Sequence, residues 1–237
     1  MTTSTDPTDI DRFARSQNAA PPARLGIRYD RDGRFLPEAG NTVVCHVRPG
    51  SIEEAALSAA RARLTVMPEA DHFAFTPVES LHVTLFQGIL DTRRRAPFWP
   101  GDRPTDTPVE AMTAHFAGRL EGFAPRAPFV FRPVGLTPNG VVLEGAEEAD
   151  RRALADWRDA LADLFGCRHP DHETYVFHVT FAYPIAWLPD DRLAAWRNVL
   201  ADALADLLAA APILRFAPPA FCRFADMCAF EEVKRLA

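Results

Sequence analysis

Lysine is almost missing from this chain: Lys234 is the only one among 237 residues, arginine carries nearly all the basic charge, and the net charge is −6. That balance excludes a broad phosphate-backbone surface, because sequence-independent nucleic-acid binding rests on many cationic contacts. A small nucleotide or an RNA end stays within reach as a partner. Cysteine is scarce as well, and Cys45, Cys167, Cys222 and Cys228 contain no CxxC pair or dense framework, so reduced thiols are expected. No apolar run approaches the roughly 20 residues of a membrane span. The stretch Met1 to Pro22 is polar and partly acidic, without the basic start and apolar centre of a signal peptide. The expectation is a cytoplasmic monomer with no membrane partner.

What is present suffices for a core, since 48% of the residues are apolar, and the length fits one large domain or two small lobes. Met1 to Ala23 lacks apolar periodicity and reads as a mobile arm, leaving 24–237 as one domain. Arg28 to Phe35 reads as a turn around Asp30-Arg31-Asp32-Gly33. Its two acidic residues resemble the start of a calcium loop whose remaining ligands are missing, so a hairpin is expected. Asn41 to Val47 is a short apolar strand, and Ser51 with Glu54 forms a capping box opening a helix that runs to about Leu64. Phe73 to Thr76 and Leu81 to Gly88 complete a βαββ lobe.

Asp91 to Thr107 is a long connection containing Arg93-Arg94-Arg95 and Trp99. It reads as a lid over an anionic substrate or as a solvated basic loop, and the second reading is preferred. Thr107, Pro108 and Glu110 start a helix carrying Val109, Met112, Phe116 and Leu120. A hairpin follows across Pro138-Asn139-Gly140, then a helix from about Glu147 to Phe165 stopped by Gly166. Tyr175 to Tyr183 reads as one strand, Asp190 caps a helix that Pro212 stops, and Ile213 to Ala217 and Phe221 to Phe230 read as closing strands. The pattern is α+β with mostly antiparallel strands.

One tripeptide occurs twice between apolar neighbours, as His82-Val83-Thr84 and as His178-Val179-Thr180. In an extended strand alternate side chains share a face, so His82 and Thr84 point one way and Val83 the other, and the second copy has the same parity. A single such pair is ordinarily a structural hydrogen bond or a solvated face. Two copies offered to one cleft can hold a small tetrahedral anion, most naturally a phosphate, from both sides.

These HxT strands, Leu81 to Phe86 and Phe177 to Ala182, in a chain of this size resemble the 2H phosphoesterases, the LigT-like superfamily of cyclic phosphodiesterases and 2′-5′ RNA ligases. The stretch Leu25 to Val47, with its Tyr-Asp-x-Asp-Gly turn and Gly-Asn-Thr-Val-Val strand, resembles a bacterial branch of that superfamily. The resemblance implies a bilobal fold with pseudo-two-fold lobes, mostly antiparallel sheets around a central cleft, helices outside, and the two HxT strands side by side. It also implies hydrolysis of a 2′,3′-cyclic nucleotide, an ADP-ribose cyclic phosphate or a 2′-5′ linkage. His82 and His178 would be the acid and base, Thr84 and Thr180 would hold the phosphate, and neither metal nor cofactor would be needed. The chain departs from many relatives at Tyr183, which follows Ala182 where an arginine is often found. That departure leaves the substrate open.

Arg132, Arg215 and Arg223 lie in otherwise apolar runs and are possible substrate contacts, although exposure or a structural ion pair is the commoner fate of such residues. Tyr175 and Tyr183 offer aromatic faces to a base or ribose, against core packing as the plainer reading. Cys167, His169 and His172 invite a zinc reading, but no fourth ligand has recognised spacing and Pro170-Asp171 suggests a turn. The alternative to an enzyme is a catalytically weak nucleotide- or RNA-end-binding module using the same cleft.

Overall fold

The strand that orders the sheet is β1 (Gly40–His46), whose Val43, Val44 and Cys45 are all buried. A strand apolar on both faces belongs in the interior of a sheet. In the computed structural model, which describes residue 6 and residues 8–236, β1 pairs antiparallel with β3 (His82–Leu90) on one side and with β8 (Ala220–Phe224) on the other. The remaining strands of this sheet are β4 (Phe131–Thr137), β5 (Gly140–Gly145), β6 (Phe177–Thr180) and β9 (Glu231–Arg235). The order is β4-β5-β6-β3-β1-β8-β9, with every pairing antiparallel. The α+β class with mostly antiparallel strands is therefore the observed one.

Two groups of strands meet at a narrow seam. β6 is tied to β5 through four residue pairs, but to β3 only through Val83 opposite Val179. Strands β2 (Phe73–Phe75) and β7 (Ala182–Pro184) leave the main sheet and pair with each other. That small sheet ties the first half of the chain to the second. β2 therefore does not flank β3 as a simple βαββ lobe would have it, and the expected strand 175–183 is broken after Thr180.

Helices α1 (Ile52–Thr65), α2 (Val109–Arg119), α3 (Glu148–Phe165) and α4 (Leu193–Ala210) cover one face of the sheet. Their Leu57, Leu64, Phe116, Leu161, Phe165, Trp196 and Leu207 join Val43, Cys45, Val83, Val141 and Val179 in one core. Helix ends follow the local chemistry. Ser51 Oγ accepts from the Glu54 amide at the start of α1, Glu147 and Asp150 form a reciprocal capping box on α3, and Gly166 takes φ 68° to stop it. Asp190 opens a short 3-10 turn before α4 rather than capping it. Residues 213–217 make only an isolated bridge, Leu214 with Phe131.

The described part of the segment expected as a mobile arm lies packed on the domain. Ile10, Phe13 and Ala14 are buried, and the Arg15 amide donates to the Leu188 carbonyl while the Leu188 amide donates to that of Phe13, both at 2.8 Å. Three apolar side chains within five residues supply the contact area that a polar composition concealed. The Asp30 turn is a hairpin, with the Asp30 carboxylate accepting from the Asp32 and Arg34 amides.

The β4–β5 turn shapes the exit of the second motif. The Asn139 carbonyl accepts the Phe181 amide at 2.7 Å and the Ala182 amide at 3.2 Å, which ends β6 and sends the chain into β7. Gly140 at that turn has φ 139°, and a Cβ on it would lie 2.0 Å from the Val179 carbonyl oxygen. Gly140→Ala is expected to cost about 1–3 kcal/mol or more in denaturant unfolding, from overpacking plus a disfavoured φ. Unchanged stability would show that the turn is not in this contact.

Candidate active site

Val83 and Val179 face each other and are fully buried toward the helices. Their neighbours must therefore turn to the opposite, open face of the sheet, which puts His82, Thr84, His178 and Thr180 together. Carrying the antiparallel register one residue either way sets His82 beside Thr180 and Thr84 beside His178. The two histidines then occupy opposite corners of a four-residue patch, with backbone positions roughly 7–8 Å apart on the diagonal.

Both rings are held in the same way. His82 Nδ1 lies 2.7 Å from the Ser80 carbonyl oxygen, and His178 Nδ1 lies 2.8 Å from that of Val176. A carbonyl can only accept, so each Nδ1 carries the hydrogen and each Nε2 is left with its lone pair. Each bond runs from the motif histidine to the carbonyl two residues earlier, so the two copies are equivalent in geometry as well as sequence.

The surroundings of the two rings differ. His82 is half-buried, with Phe230 at 4.1 Å and the His46 ring at 6.3 Å between centroids. Burial pushes His82 down to about 4; its bond to Ser80 opposes this, and the charges of His46 and His178 add to it. His46 is opposite His82 on β1, has Cys222 Sγ at 3.5 Å from its Nε2, and is also lowered by burial. His178 stands open to the cleft; crowding by protein lowers it in the same direction, and the water that reaches it tempers the effect.

Around His178 and Thr180 lies a cleft of about 440 Å³, whose walls include Asn139, Tyr175, Tyr183 and, from the amino-terminal segment, Arg12 and Phe13. Tyr175 and Tyr183, for which core packing is the plainer reading from sequence, both line this cleft. Tyr175 is hydrogen-bonded to the Thr84 side chain, and burial pushes its hydroxyl up to about 12, so it stays neutral. The buried Arg158 guanidinium lies 4.1 Å from the centre of the Tyr175 ring and donates to the Leu85 and His172 carbonyls. Tyr183 stacks on Tyr29, and Arg28 lies 5.2 Å from its centre, so an arginine does reach this position from a distant part of the chain.

The three arginines singled out from the sequence are engaged elsewhere. Arg132 and Arg223 form exposed ion pairs with Glu144 and Glu231. Arg215 lines a separate groove with Arg48, Arg126 and Phe129. Cys167 and His169 do not gather with His172 as metal ligands; among the described residues the group with that capacity is Asp159, His172 and Glu173, and Arg168 already bonds both of its carboxylates. His46, Arg28 and Asn139 were missed. Only His46 left a readable signal, as a polar residue closing an otherwise apolar strand.

The comparisons bear on this site from two directions. The family described as 2H-phosphodiest, domain of unknown function (DUF1868), matches residues 28–142, which include the first motif. No curated protein matches the chain. A solved structure, that of the conserved protein of unknown function ATU0111 from Agrobacterium tumefaciens str. C58, is similar at 44% sequence identity and a TM-score of 0.96, over 99% of this chain and 100% of that one. The chain therefore belongs to one family with the Agrobacterium protein, and residues 28–142 carry its relation to the 2H phosphodiesterase-like domains.

Proposed function

We propose that the protein is a phosphodiesterase that opens a 2′,3′-cyclic nucleotide, an ADP-ribose cyclic phosphate or a 2′-5′ linkage by two-histidine acid–base catalysis, with no metal in the step. The observation that carries this reading is the matched Nδ1 bond of His82 and His178, which leaves an equivalent Nε2 on each of two histidines set on adjacent strands. A binding site has no need of two histidines locked in the same tautomer. In-line displacement at phosphorus does, because a proton must leave the attacking water on one side and reach the departing oxygen on the other.

The different surroundings suggest the roles. His82, pushed down to about 4, stays neutral and takes the proton of the attacking water. His178, open to the cleft, takes up a proton as the anionic substrate arrives, because a negative charge nearby favours the imidazolium. It then delivers that proton to the leaving ribose oxygen as the P–O bond breaks. The hydroxyls of Thr84 and Thr180 donate to the non-bridging oxygens, where they are most effective as charge shifts in the transition state. In the reverse direction the two histidines exchange roles.

Replacing either histidine by alanine is expected to lower kcat by about 10²–10⁴-fold while the circular dichroism spectrum is retained, and a chelator is expected to leave the rate unchanged. A panel of cyclic phosphates and 2′-5′ dinucleotides, read by the position of the product phosphate, measures this directly. Full turnover by both variants removes the histidines from the mechanism; saturable binding with no product makes the cleft a nucleotide- or RNA-end-binding module.

The protonation scheme has its own check. In a proton NMR titration of the unliganded protein, the His82 ring is expected to titrate well below the ordinary 6.5, near 4, and saturating inorganic phosphate is expected to move the His178 midpoint upward. A His82 midpoint at or above 6.5 contradicts its assignment as a ring kept neutral by burial.

A further inference from the structure

Arg93 opens the loop that follows β3, in a run of three arginines that reads from sequence as a solvated basic surface. Arg94 behaves accordingly and pairs with Asp91. Arg93 turns inward instead. Its guanidinium lies 3.9 Å from the centre of the Phe98 ring and donates to Gln87 Oε1 at 2.6 Å, while its Nε is buried with no hydrogen-bond partner.

Among the described residues no carboxylate lies within ion-pair distance of Arg93. Burial, and then the charges of Arg24 and Arg28, disfavour its cation, while Asp171 and Glu38 favour it from beyond bonding distance. Arg24 and Arg28 are both bound to Glu38, which also accepts from the Thr92 hydroxyl. Glu38 is therefore spent, and the three guanidinium groups have one directly bonded carboxylate between them. A half-buried cation without a directly bonded counterion is costly, and an arriving anion relieves that cost.

This charge lies farther along the strand that carries the first motif, and two residues of the cleft wall link it to the cleft. Gln87, which holds Arg93, follows His82 and Thr84 on the open face of the sheet, since residues 82, 84 and 87 oppose residues 46, 44 and 42 of β1. Its backbone lies roughly 10 Å beyond Thr84 along the strand. Tyr183 and Asp171 both line the cleft; Arg28 packs on Tyr183, and the Asp171 charge is felt at Arg93.

The geometry points to a second anion subsite, formed by Arg93 with Arg28 and Arg24, that takes a further phosphoryl group of the same nucleotide, one ribose away from the phosphate between His82 and His178. The inference rests on the phosphodiesterase reading for the first phosphate and adds the substrate class: a nucleotide carrying a 5′-phosphoryl group.

Calorimetric titration with adenosine 2′-monophosphate and adenosine 2′,5′-bisphosphate, and with the matching 3′ pair, tests it without turnover. The bisphosphate is expected to bind wild type about ten-fold tighter or more, as charge-assisted hydrogen bonds imply, and Arg93→Gln is expected to bring the ratio close to one. Should that variant not fold, Arg93→Lys carries the comparison, and the ratio must fall there as well. Equal affinities in wild type, a preference that survives at Arg93, or no binding of either nucleotide overturns the subsite. Cyclic phosphate hydrolysis without a 5′ preference sinks the subsite alone, whereas a 5′ preference without hydrolysis sinks the phosphodiesterase reading and leaves the subsite standing.

Discussion

One cross-strand contact, Val83 against Val179, decides whether this molecule has a site at all. It is the register point at which β3 and β6 meet. Because side chains alternate, burying these two valines is what forces the histidines and threonines onto the opposite face. A slip of one residue on either strand would send one His–Thr pair into the helical core and leave the other alone. The register is defended by the burial of both valines, each contributing roughly 1.5–3 kcal/mol as a buried apolar side chain. It is held from outside by the β4–β5 turn, where Gly140 admits the Val179 carbonyl and Asn139 takes the amides of Phe181 and Ala182.

The electrostatics of the open face follow from the same arrangement. The sheet surface carries His46, His82 and His178 in a crowded setting that keeps each below its ordinary value. Positive charge comes from farther along the strands, where Arg28 reaches Tyr183 and Arg93 is held by Gln87. On the proposed reading, this division would let a chain with a net charge of −6 hold an anion locally without a broad basic surface.

Local features were legible in the sequence, while juxtapositions of remote segments were not. The parity of the two motifs, the Ser51 cap and the Gly166 stop follow from rules that operate within a few residues, and each stands where it was expected. The fates of Arg132, Arg223 and Arg215 depend on which carboxylate or groove lies across a strand pairing, and nothing within their own runs discloses Glu144 or Glu231. Arg93 and Arg94 make the point most sharply: adjacent and chemically identical, one turns to Asp91 at the surface and the other inward to Gln87 and Phe98. The packing of the amino-terminal segment is hidden from sequence for a different reason. Composition averages over residues, whereas Ile10, Phe13 and Ala14 dock as three particular side chains against a surface built by the far end of the chain.

The account comes down to one oxyanion held between two imidazoles, and a crystal structure of the protein with a bound nucleoside–vanadate complex tests that most directly. The account predicts vanadium between the Nε2 atoms of His82 and His178, each within hydrogen-bond distance of an oxygen on opposite sides, with the Thr84 and Thr180 hydroxyls on the equatorial oxygens. Vanadate bound by one histidine alone, or an imidazole turned so that its Nδ1 leaves the Ser80 or Val176 carbonyl, would contradict it.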